Sequence, residues 1–223
     1  MKSIPILYEN DEIFIINKPS GIPVQGGAGI THSLDRELPE QTGSSVYLVH
    51  RLDQDTAGLM VVAKNPAAAA IWTKLIAGHD VRKEYDAVCI GKFTELSGTI
   101  VENIVQHGEA RNAVTHYRVT GEGTVLCSGG PVLPVSFVHL FLETGRMHQI
   151  RIHLAKQGCP VAGDDQHGNF KQNKLLRKAA GVKRLMLAAV TLTIPLGGSL
   201  QTFSVPLPEH MQSFYDLYFM SAC

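Results

Sequence analysis

Ten short strand-like segments constrain the fold of this chain of 223 residues more than any other feature. They are rich in β-branched and aromatic residues, and the connections between them are short and often contain glycine. Such connections favour antiparallel pairing, because parallel strands need crossovers of about a dozen residues or more. In chain order the segments are ILYEN, IFIINK, YLVHRL, GLMVVAK, EYDAVCIG, GTIVENIV, THYRVTG, PVSFVHLFLE, LMLAAVTLTI and LQTFSV.

Helices are fewer, and their ends carry clear signals. The first is predicted to begin after the N-cap residue Asn65, with Pro66 at the first helical position, and to stop near Gly78. The other predicted helices are residues 147–157 ended by Gly158, the basic segment ended by Gly181, and EHMQSFYDLYFM. We therefore expect an α+β fold, with a large, mainly antiparallel mixed sheet flanked by helices, in a single domain over residues 1–223.

Composition narrows the class of protein. No run of about 18 apolar residues occurs, which argues against a membrane span or signal peptide and predicts a cytoplasmic protein. The four cysteines are far apart and form no C-x-x-C pair, so we expect them to be reduced and mostly buried rather than bound to zinc. They are Cys89, Cys127, Cys159 and Cys223.

Charge is balanced overall but unevenly distributed. The net charge is zero, which by itself disfavours a general nucleic-acid binder. Residues 166–208, however, contain no acid, and six lysines and arginines fall within 171–184. Lys174, Arg177 and Lys178 are expected close together on one helix face. This face fits either a solvated surface or a patch for an anionic partner.

A first chemical cluster lies in VHRLDQDTAGLMVVAKN, residues 49–65. If the preceding strand runs that far, its alternation places Arg51 and Asp53 on one face. The segment after Gly58 is apolar on both faces and should lie centrally in the sheet. Asp53 would then lie close to a low-dielectric interior, where a carboxylate is costly unless it is paired or hydrogen-bonded. Its carboxylate would then either take part in catalysis or only accept hydrogen bonds from the turn that follows.

A second cluster lies in ETGRMHQIRIHLAKQGCPVAGDD, residues 143–165. His148 and His153 are five positions apart, a poor spacing for two ligands of one metal, so we expect polar or substrate-facing histidines and no metal site. Arg151 falls on the apolar side of the predicted helix. It is expected either to bind a carboxylate through two hydrogen bonds or to extend to solvent.

Together these motifs resemble those of the RluA-type pseudouridine synthases. The matching stretches are IFIINKPSGIPV, HRLD with Thr-x-Gly, KEYDAVCIG and the second cluster, in that order. The resemblance implies the pseudouridine synthase catalytic fold, with no metal and no cofactor. Three positions depart from the usual pattern, namely Ala57, His167 and Leu187 with its following alanine.

The resemblance also implies roles for individual residues. Asp53 is the nucleophile, Arg151 pairs with it, and Tyr85 packs against the target base. Substrate contacts are expected from Arg51, Lys83, Ile150 and His148, and we assign RNA backbone contacts to Lys174, Arg177 and Lys178.

The expected function is isomerisation of specific uridines in ribosomal or transfer RNA to pseudouridine, after the base is flipped out of its stack. The expected partner is an RNA stem-loop, not a membrane, and the expected state is a monomer without an S4 RNA-binding module. One alternative is a non-catalytic RNA-binding module. Another is a nucleoside or glycoside hydrolase in which Asp53 works with Asp55, Asp164 or Asp165, a carboxylate pair about 5–10 Å apart.

Overall fold

The structure of the protein is a computed structural model that describes residues 3–106, 108–127 and 130–220. The chain forms two compact units. Unit 1 comprises Met1–Lys83 and Ala189–Pro206, and unit 2 comprises Glu84–Ala188 and Leu207–Cys223. The single domain expected from the sequence stays a prediction, and Cys223 lies outside the described residues.

The described residues form ten strands and five helices. In chain order these are β1 (Ile6–Glu9), β2 (Ile13–Lys18), α1 (Leu34–Thr42), β3 (Tyr47–Leu48), β4 (Ala57–Ala63), α2 (Pro66–Ala77), β5 (Arg82–Ile90), β6 (Ser97–Gln106), β7 (Glu109–Leu126), β8 (Val132–Leu142), α3 (Gln149–Lys156), α4 (Phe170–Ala180), β9 (Leu187–Leu196), β10 (Ser199–Ser204) and α5 (Glu209–Tyr218). None of the helices in these ranges is both long and apolar enough to cross a membrane.

Unit 1 is built on β4, which is buried along its whole length. The strand order is β1, β2, β4, β9, with β3 also paired to β4 and β10 to β9. Apolar residues of β2, β4 and β9 pack with α2, whose Trp72 is buried in the same core. As predicted, Asn65 caps α2 by accepting a hydrogen bond from the Ala68 backbone N–H.

Gly58 explains why a glycine is needed at the start of β4. Its φ is +118°, which L side chains rarely adopt, and a Cβ there would lie 2.1 Å from the carbonyl oxygen of Ala189 in β9. Only glycine therefore allows the two backbones to approach this closely. The turn that precedes β4, which contains Asp53, is consequently attached to a rigid, central strand.

Unit 2 has the antiparallel strand order β5, β8, β7, β6. Helix α5 packs through an aromatic cluster in which the rings of Phe137 and Tyr215 are 4.6 Å apart. Gly123 allows this packing, because a Cβ there would lie 2.4 Å from the backbone oxygen of Tyr218. Helix α3 lies against β6 and β7, which fixes the segment that contains Arg151.

These elements confirm the predicted fold class and most predicted segments. Helices α2 and α4 end at Ala77 and Ala180, next to the predicted glycines. The sequence missed α1, which contains a helix-breaking residue at Pro39. The predicted strand YLVHRL was wrong beyond Leu48, where β3 ends.

His139 of β8 links two acidic side chains of its partner strand β5. Its Nδ1 lies 2.7 Å from Asp86 Oδ1 and its Nε2 lies 3.1 Å from Glu84 Oε2. The hydrogen bond to Asp86 raises the pKa of His139, burial opposes that shift, and the charges of both carboxylates add to it. The protonated imidazole can donate to both carboxylates at once.

Replacing His139 by glutamine should therefore lower stability in a pH-dependent way. Because the pKa is raised in the folded state, the stabilisation is full below about pH 6.5, the ordinary histidine value, and is lost as pH rises through the folded-state value. We expect His139→Gln to lower Tm by several degrees at about pH 5.5 and much less at about pH 9. Asp86→Asn should show the same trend; a pH-independent loss in both variants would contradict the assignment.

Candidate active site

Asp53 lies in a turn rather than on a strand. Residues 49–56 form an irregular segment, and the Asp53 carbonyl oxygen accepts a hydrogen bond from the Thr56 backbone N–H at 3.2 Å. Because β3 ends at Leu48, the strand does not run as far as Asp53, and the alternation that would place Arg51 and Asp53 on one strand face does not apply. The side chain is partly buried, whereas Arg51 and Asp55 on either side are exposed. The carboxylate is thus placed by a turn that enters the central strand β4.

Lys18 holds this turn from inside the protein. Its side chain is fully buried, and its ammonium donates hydrogen bonds to the carbonyl oxygens of Pro19, Ile22 and Gln54 at 2.9–3.0 Å. Burial lowers the pKa of Lys18 to about 8, while the negative charges of Asp55 and Asp53 oppose that shift. At neutral pH Lys18 therefore stays mostly protonated, and it places a positive charge behind the Asp53 turn.

Three further hydrogen bonds fasten the loop after β2 to the same turn. The Gly21 backbone N–H donates to the Gln54 carbonyl oxygen at 2.9 Å, and the Gln54 side chain donates to the Gly21 oxygen at 3.4 Å. The Ser20 hydroxyl donates to the Asp55 carbonyl oxygen at 2.8 Å. The segment NKPSG therefore acts as a brace for the Asp53 turn, a role that sequence reasoning did not assign to it.

His50 fixes the other side of the turn. Its Nε2 accepts a hydrogen bond from the Val61 backbone N–H of β4 at 3.0 Å. This requires a lone pair on Nε2, so that the ring proton is on Nδ1. Burial, with the nearby charge of Lys83 adding to it, lowers the pKa of His50 to about 3. His50 is therefore neutral at neutral pH, and it fixes the turn through its hydrogen bond to β4. Burial also lowers the pKa of the neighbouring Lys83.

In unit 2, Tyr85 is buried on β5, opposite Leu140 of β8. It alternates with Glu84 and Asp86, which bind His139 on the other face of the strand. Tyr85 and the charged side chains that contact His139 therefore lie on opposite faces of β5.

Arg151 forms a buried bidentate ion pair with Asp164. Its Nε and Nη2 donate to the two carboxylate oxygens at 2.7 and 2.8 Å, and Nη2 also lies 3.3 Å from Oε1 of Gln166. Burial raises the pKa of Asp164, but hydrogen bonds from Arg151 and from the backbone N–H groups of His167 and Gln166 outweigh it, so the pKa lies below its usual range. Of the two alternatives that the sequence left open for Arg151, the structure therefore shows binding to a carboxylate, that of Asp164, rather than extension to solvent.

His148 and Ile150 lie just before Arg151, at the start of α3. His148 adopts the left-handed conformation with φ of 55°, and α3 therefore begins at Gln149 rather than at the predicted Met147. His148 Nδ1 lies 2.9 Å from Nε2 of His167, one of the positions that depart from the family pattern. Ile150 is buried directly after this turn.

Gln149 satisfies four hydrogen bonds at the start of α3. Its Oε1 accepts from the Thr144 hydroxyl at 2.7 Å and from the Arg146 backbone N–H at 3.0 Å. Its amide donates to the Val114 carbonyl oxygen at 2.9 Å and lies 3.0 Å from the Thr115 hydroxyl. Gln149 thereby fastens the Thr-Gly turn and α3 to β7, and it orients the helix on which Arg151 lies.

The predicted site residues divide between the two units. Arg51, Asp53 and Lys83 belong to unit 1, and the remaining predicted residues belong to unit 2. The pairing of Arg151 with Asp53 therefore stays a prediction from the resemblance. Sequence reasoning missed Lys18, Gln149 and the positioning role of Asp164. The signal that could have indicated all three is that each is a polar residue inside one of the matching motif stretches.

The remaining predictions concern cations and metals. Lys174, Arg177 and Lys178 are exposed on α4. Across residues 3–106, 108–127 and 130–220, no three His, Cys, Asp or Glu side chains are grouped so as to hold a metal ion. The buried His153 instead lies with its Nδ1 2.9 Å from the Thr115 hydroxyl.

Comparison with known families assigns the chain. The model of the family described as RNA pseudouridylate synthase matches residues 12–156. This stretch contains both the Asp53 turn and the α3 segment with Arg151. The chain belongs to the RNA pseudouridylate synthase family. It is an RNA pseudouridine synthase, and hence an isomerase.

Several curated relatives of this pseudouridine synthase carry matching names. It is 32% identical to ribosomal large subunit pseudouridine synthase D of Xanthomonas campestris, over 93% of this chain and 67% of the relative. The synthase D of Vibrio cholerae is 35% identical, over 92% of this chain and 68% of the relative. Ribosomal large subunit pseudouridine synthase C of Rickettsia bellii is 34% identical, over 74% of this chain and 57% of the relative.

Solved structures support the same fold. The human RNA pseudouridylate synthase domain-containing protein 1 matches with a TM-score of 0.77 at 25% identity, covering 97% of this chain and 88% of that one. The human domain-containing protein 4 matches with a TM-score of 0.74 at 24% identity, covering 95% and 92%. The fold described above is thus that of pseudouridylate synthase domains.

Lys18→Met should weaken both the fold and the catalysis of this pseudouridine synthase. The change leaves three carbonyl oxygens without their donor, and we expect it to lower the free energy of unfolding by about 3 kcal/mol. It should also lower kcat, because the Asp53 turn loses its brace. Urea denaturation and initial rates of pseudouridine formation test this, with exposed Lys74→Met as the control. Equal stability and rate in the two variants would argue against the brace.

Asp164→Asn should impair catalysis through Arg151. It keeps the shape of the side chain but removes the charge that holds the guanidinium, and we expect kcat to fall on the order of 10²-fold if the guanidinium moves by about 1 Å. The neighbouring Asp165 is exposed, and Asp165→Asn is the matched control. Both rates are measured on ribosomal RNA from cells lacking the gene. Equal kcat in the two variants would remove Asp164 from the site.

Proposed function

We propose that this pseudouridine synthase modifies uridines of large-subunit ribosomal RNA and uses Asp53 as its nucleophile. The substrate class is supported by the relatives, which are named ribosomal large subunit pseudouridine synthases C and D. The nucleophile is supported by the HRLD motif and by the structure of its turn. Transfer RNA as a partner, the monomeric state and a cytoplasmic location stay predictions.

The fixed turn around Asp53 is the observation that supports this role most directly. Lys18 binds the turn from inside, and His50 joins it to β4. A structural aspartate needs only a hydrogen bond within its own turn. A nucleophile instead needs a fixed position, and the hydrogen bond of the buried Lys18 ammonium to the Gln54 carbonyl oxygen helps to fix the backbone next to Asp53.

Uridine and pseudouridine contain the same atoms, so the reaction only rearranges bonds. The bond between N1 of uracil and C1′ of ribose breaks, the base rotates, and a bond forms between C5 and C1′. The proton released from C5 is balanced by one gained at N1. Asp53 can attack the sugar, attack the base, or assist removal of a ribose proton; in each route its carboxylate acts on the reacting nucleotide.

In this proposal the other predicted residues either supply positive charge or contact the base and its nucleotide. Arg151 supplies a positive charge whose orientation is fixed by Asp164. Tyr85 packs against the detached uracil and Ile150 lines its pocket, while Arg51, Lys83 and His148 contact the nucleotide. Flipping the uridine costs a few kcal/mol, and stacking on an aromatic ring returns about 1–3 kcal/mol of it.

Asp53→Asn should abolish pseudouridine formation, whereas Asp55→Asn should keep it. The two aspartates lie in the same turn, but Asp55 is exposed, so it controls for loss of charge in the turn. The gene is deleted, the cells are complemented with each variant, and pseudouridine is mapped in total RNA. A large-subunit uridine that is modified only with wild type and Asp55→Asn supports the proposal.

Other outcomes overturn parts of it. A lost site in transfer RNA alone would replace the proposed substrate. Full modification with Asp53→Asn would exclude Asp53 as the nucleophile. Free uracil from RNA incubated with the purified wild-type protein would indicate the hydrolase alternative.

A further inference from the structure

One face of α4 combines an exposed aromatic ring with four cations. Phe170, Lys171, Lys174, Arg177 and Lys178 are all exposed, and Phe170 keeps 78% of its surface accessible. At about 100° per residue these positions fall within about 120° of the helix circumference. We call this set the α4 stripe. No polar or acidic side chain interrupts it.

The α4 stripe concentrates positive charge on one helix face. None of the ion pairs found in the described part of the chain involves its four cations. Residues 166–208 contain no acid at all. Like charges three and four positions apart on a helix repel one another. A polyanion bound along the stripe would remove this repulsion.

The buried face of α4 ties the stripe to the active-site loop. Asn173 accepts a hydrogen bond from the Gly163 backbone N–H at 3.0 Å and donates one to the Asp164 carbonyl oxygen at 2.8 Å. Asp164 in turn holds Arg151, and Leu176 is fully buried on the same side of the helix. All these residues belong to unit 2, so the stripe keeps a fixed position relative to Arg151.

We propose that the α4 stripe binds the RNA strand that flanks the target uridine, with its cations on phosphates and Phe170 stacked on an unpaired base. Phe170 to Lys178 spans about 12 Å of helix, enough to face about three phosphates. An exposed ring beside cations is the combination that single-stranded nucleic acid requires. This inference rests on the proposed function, because it assigns the flank of the same substrate.

Salt dependence of RNA binding tests the phosphate contacts. The probe is a transcript of large-subunit ribosomal RNA, bound to purified full-length protein over a range of salt. The variant Lys174→Gln, Arg177→Gln, Lys178→Gln should lower the slope of log Kd against log salt by about 2–3, since each contact contributes about 0.7–0.9. The control Lys74→Gln, Lys92→Gln, Arg111→Gln removes the same charge elsewhere and should leave the slope unchanged.

Substitution of Phe170 tests the stacking contact separately. Phe170→Leu should weaken binding by about 5- to 100-fold without changing the salt slope, and Phe170→Tyr should bind as wild type does. Both sets of variants should raise KM and leave kcat unchanged at saturating RNA. Equal loss with leucine and tyrosine would exclude stacking.

The outcomes separate this inference from the proposed function. If the triple variant binds RNA with the wild-type slope, the stripe does not contact RNA. If it keeps RNA binding but loses binding to phosphatidylserine vesicles, the partner is a lipid surface and the proposal is wrong. If Asp53→Asn stays active while the slopes change as expected, the assignment of the nucleophile fails but the RNA surface stands.

Discussion

The conformation of the Asp53 turn depends on the hydrogen bonds of the buried Lys18 ammonium. Its three hydrogen bonds to backbone carbonyls join the loop after β2 to the turn before β4. A charge placed out of water is costly unless its donors are satisfied. Here three carbonyl oxygens satisfy them, and neighbouring carboxylates favour the charged form. The same atoms therefore fix a backbone conformation and bring positive charge close to Asp53.

In unit 2, Arg151 is oriented by a comparable principle. Asp164 binds Nε and Nη2 of the Arg151 guanidinium through its two carboxylate oxygens, and its Oδ1 also accepts two backbone N–H groups. Gln149 fastens the beginning of α3 through four hydrogen bonds. In both units a charged side chain is thus oriented by buried polar groups rather than by loose surface contacts. Such supporting shells reduce the reorganisation required when charge develops during a reaction.

Local sequence signals correctly predicted the helices and strands whose ends or burial depend on residues close together in the chain. Asn65 with Pro66, and Gly181 after the basic segment, fix helix ends through caps formed within a few residues. The apolar run after Gly58 correctly predicted a central strand, because both its faces are buried. The predicted strand YLVHRL was wrong beyond Leu48, because its side-chain alternation continues into an irregular segment held by distant residues. Helix α1 was missed because Pro39 contradicts local propensity, while burial of Leu34 and Leu38 stabilises it.

The sequence by itself determined the fold class, the motifs and, through their resemblance, the family and the expected nucleophile. Only the tertiary structure decided that Lys18 braces the Asp53 turn across 36 positions of the chain, and that Arg151 binds Asp164. It also placed the basic segment on one exposed face of α4. The physical reason is that caps and strand periodicity depend on neighbouring residues, whereas a buried charge finds its partners only when distant segments pack together.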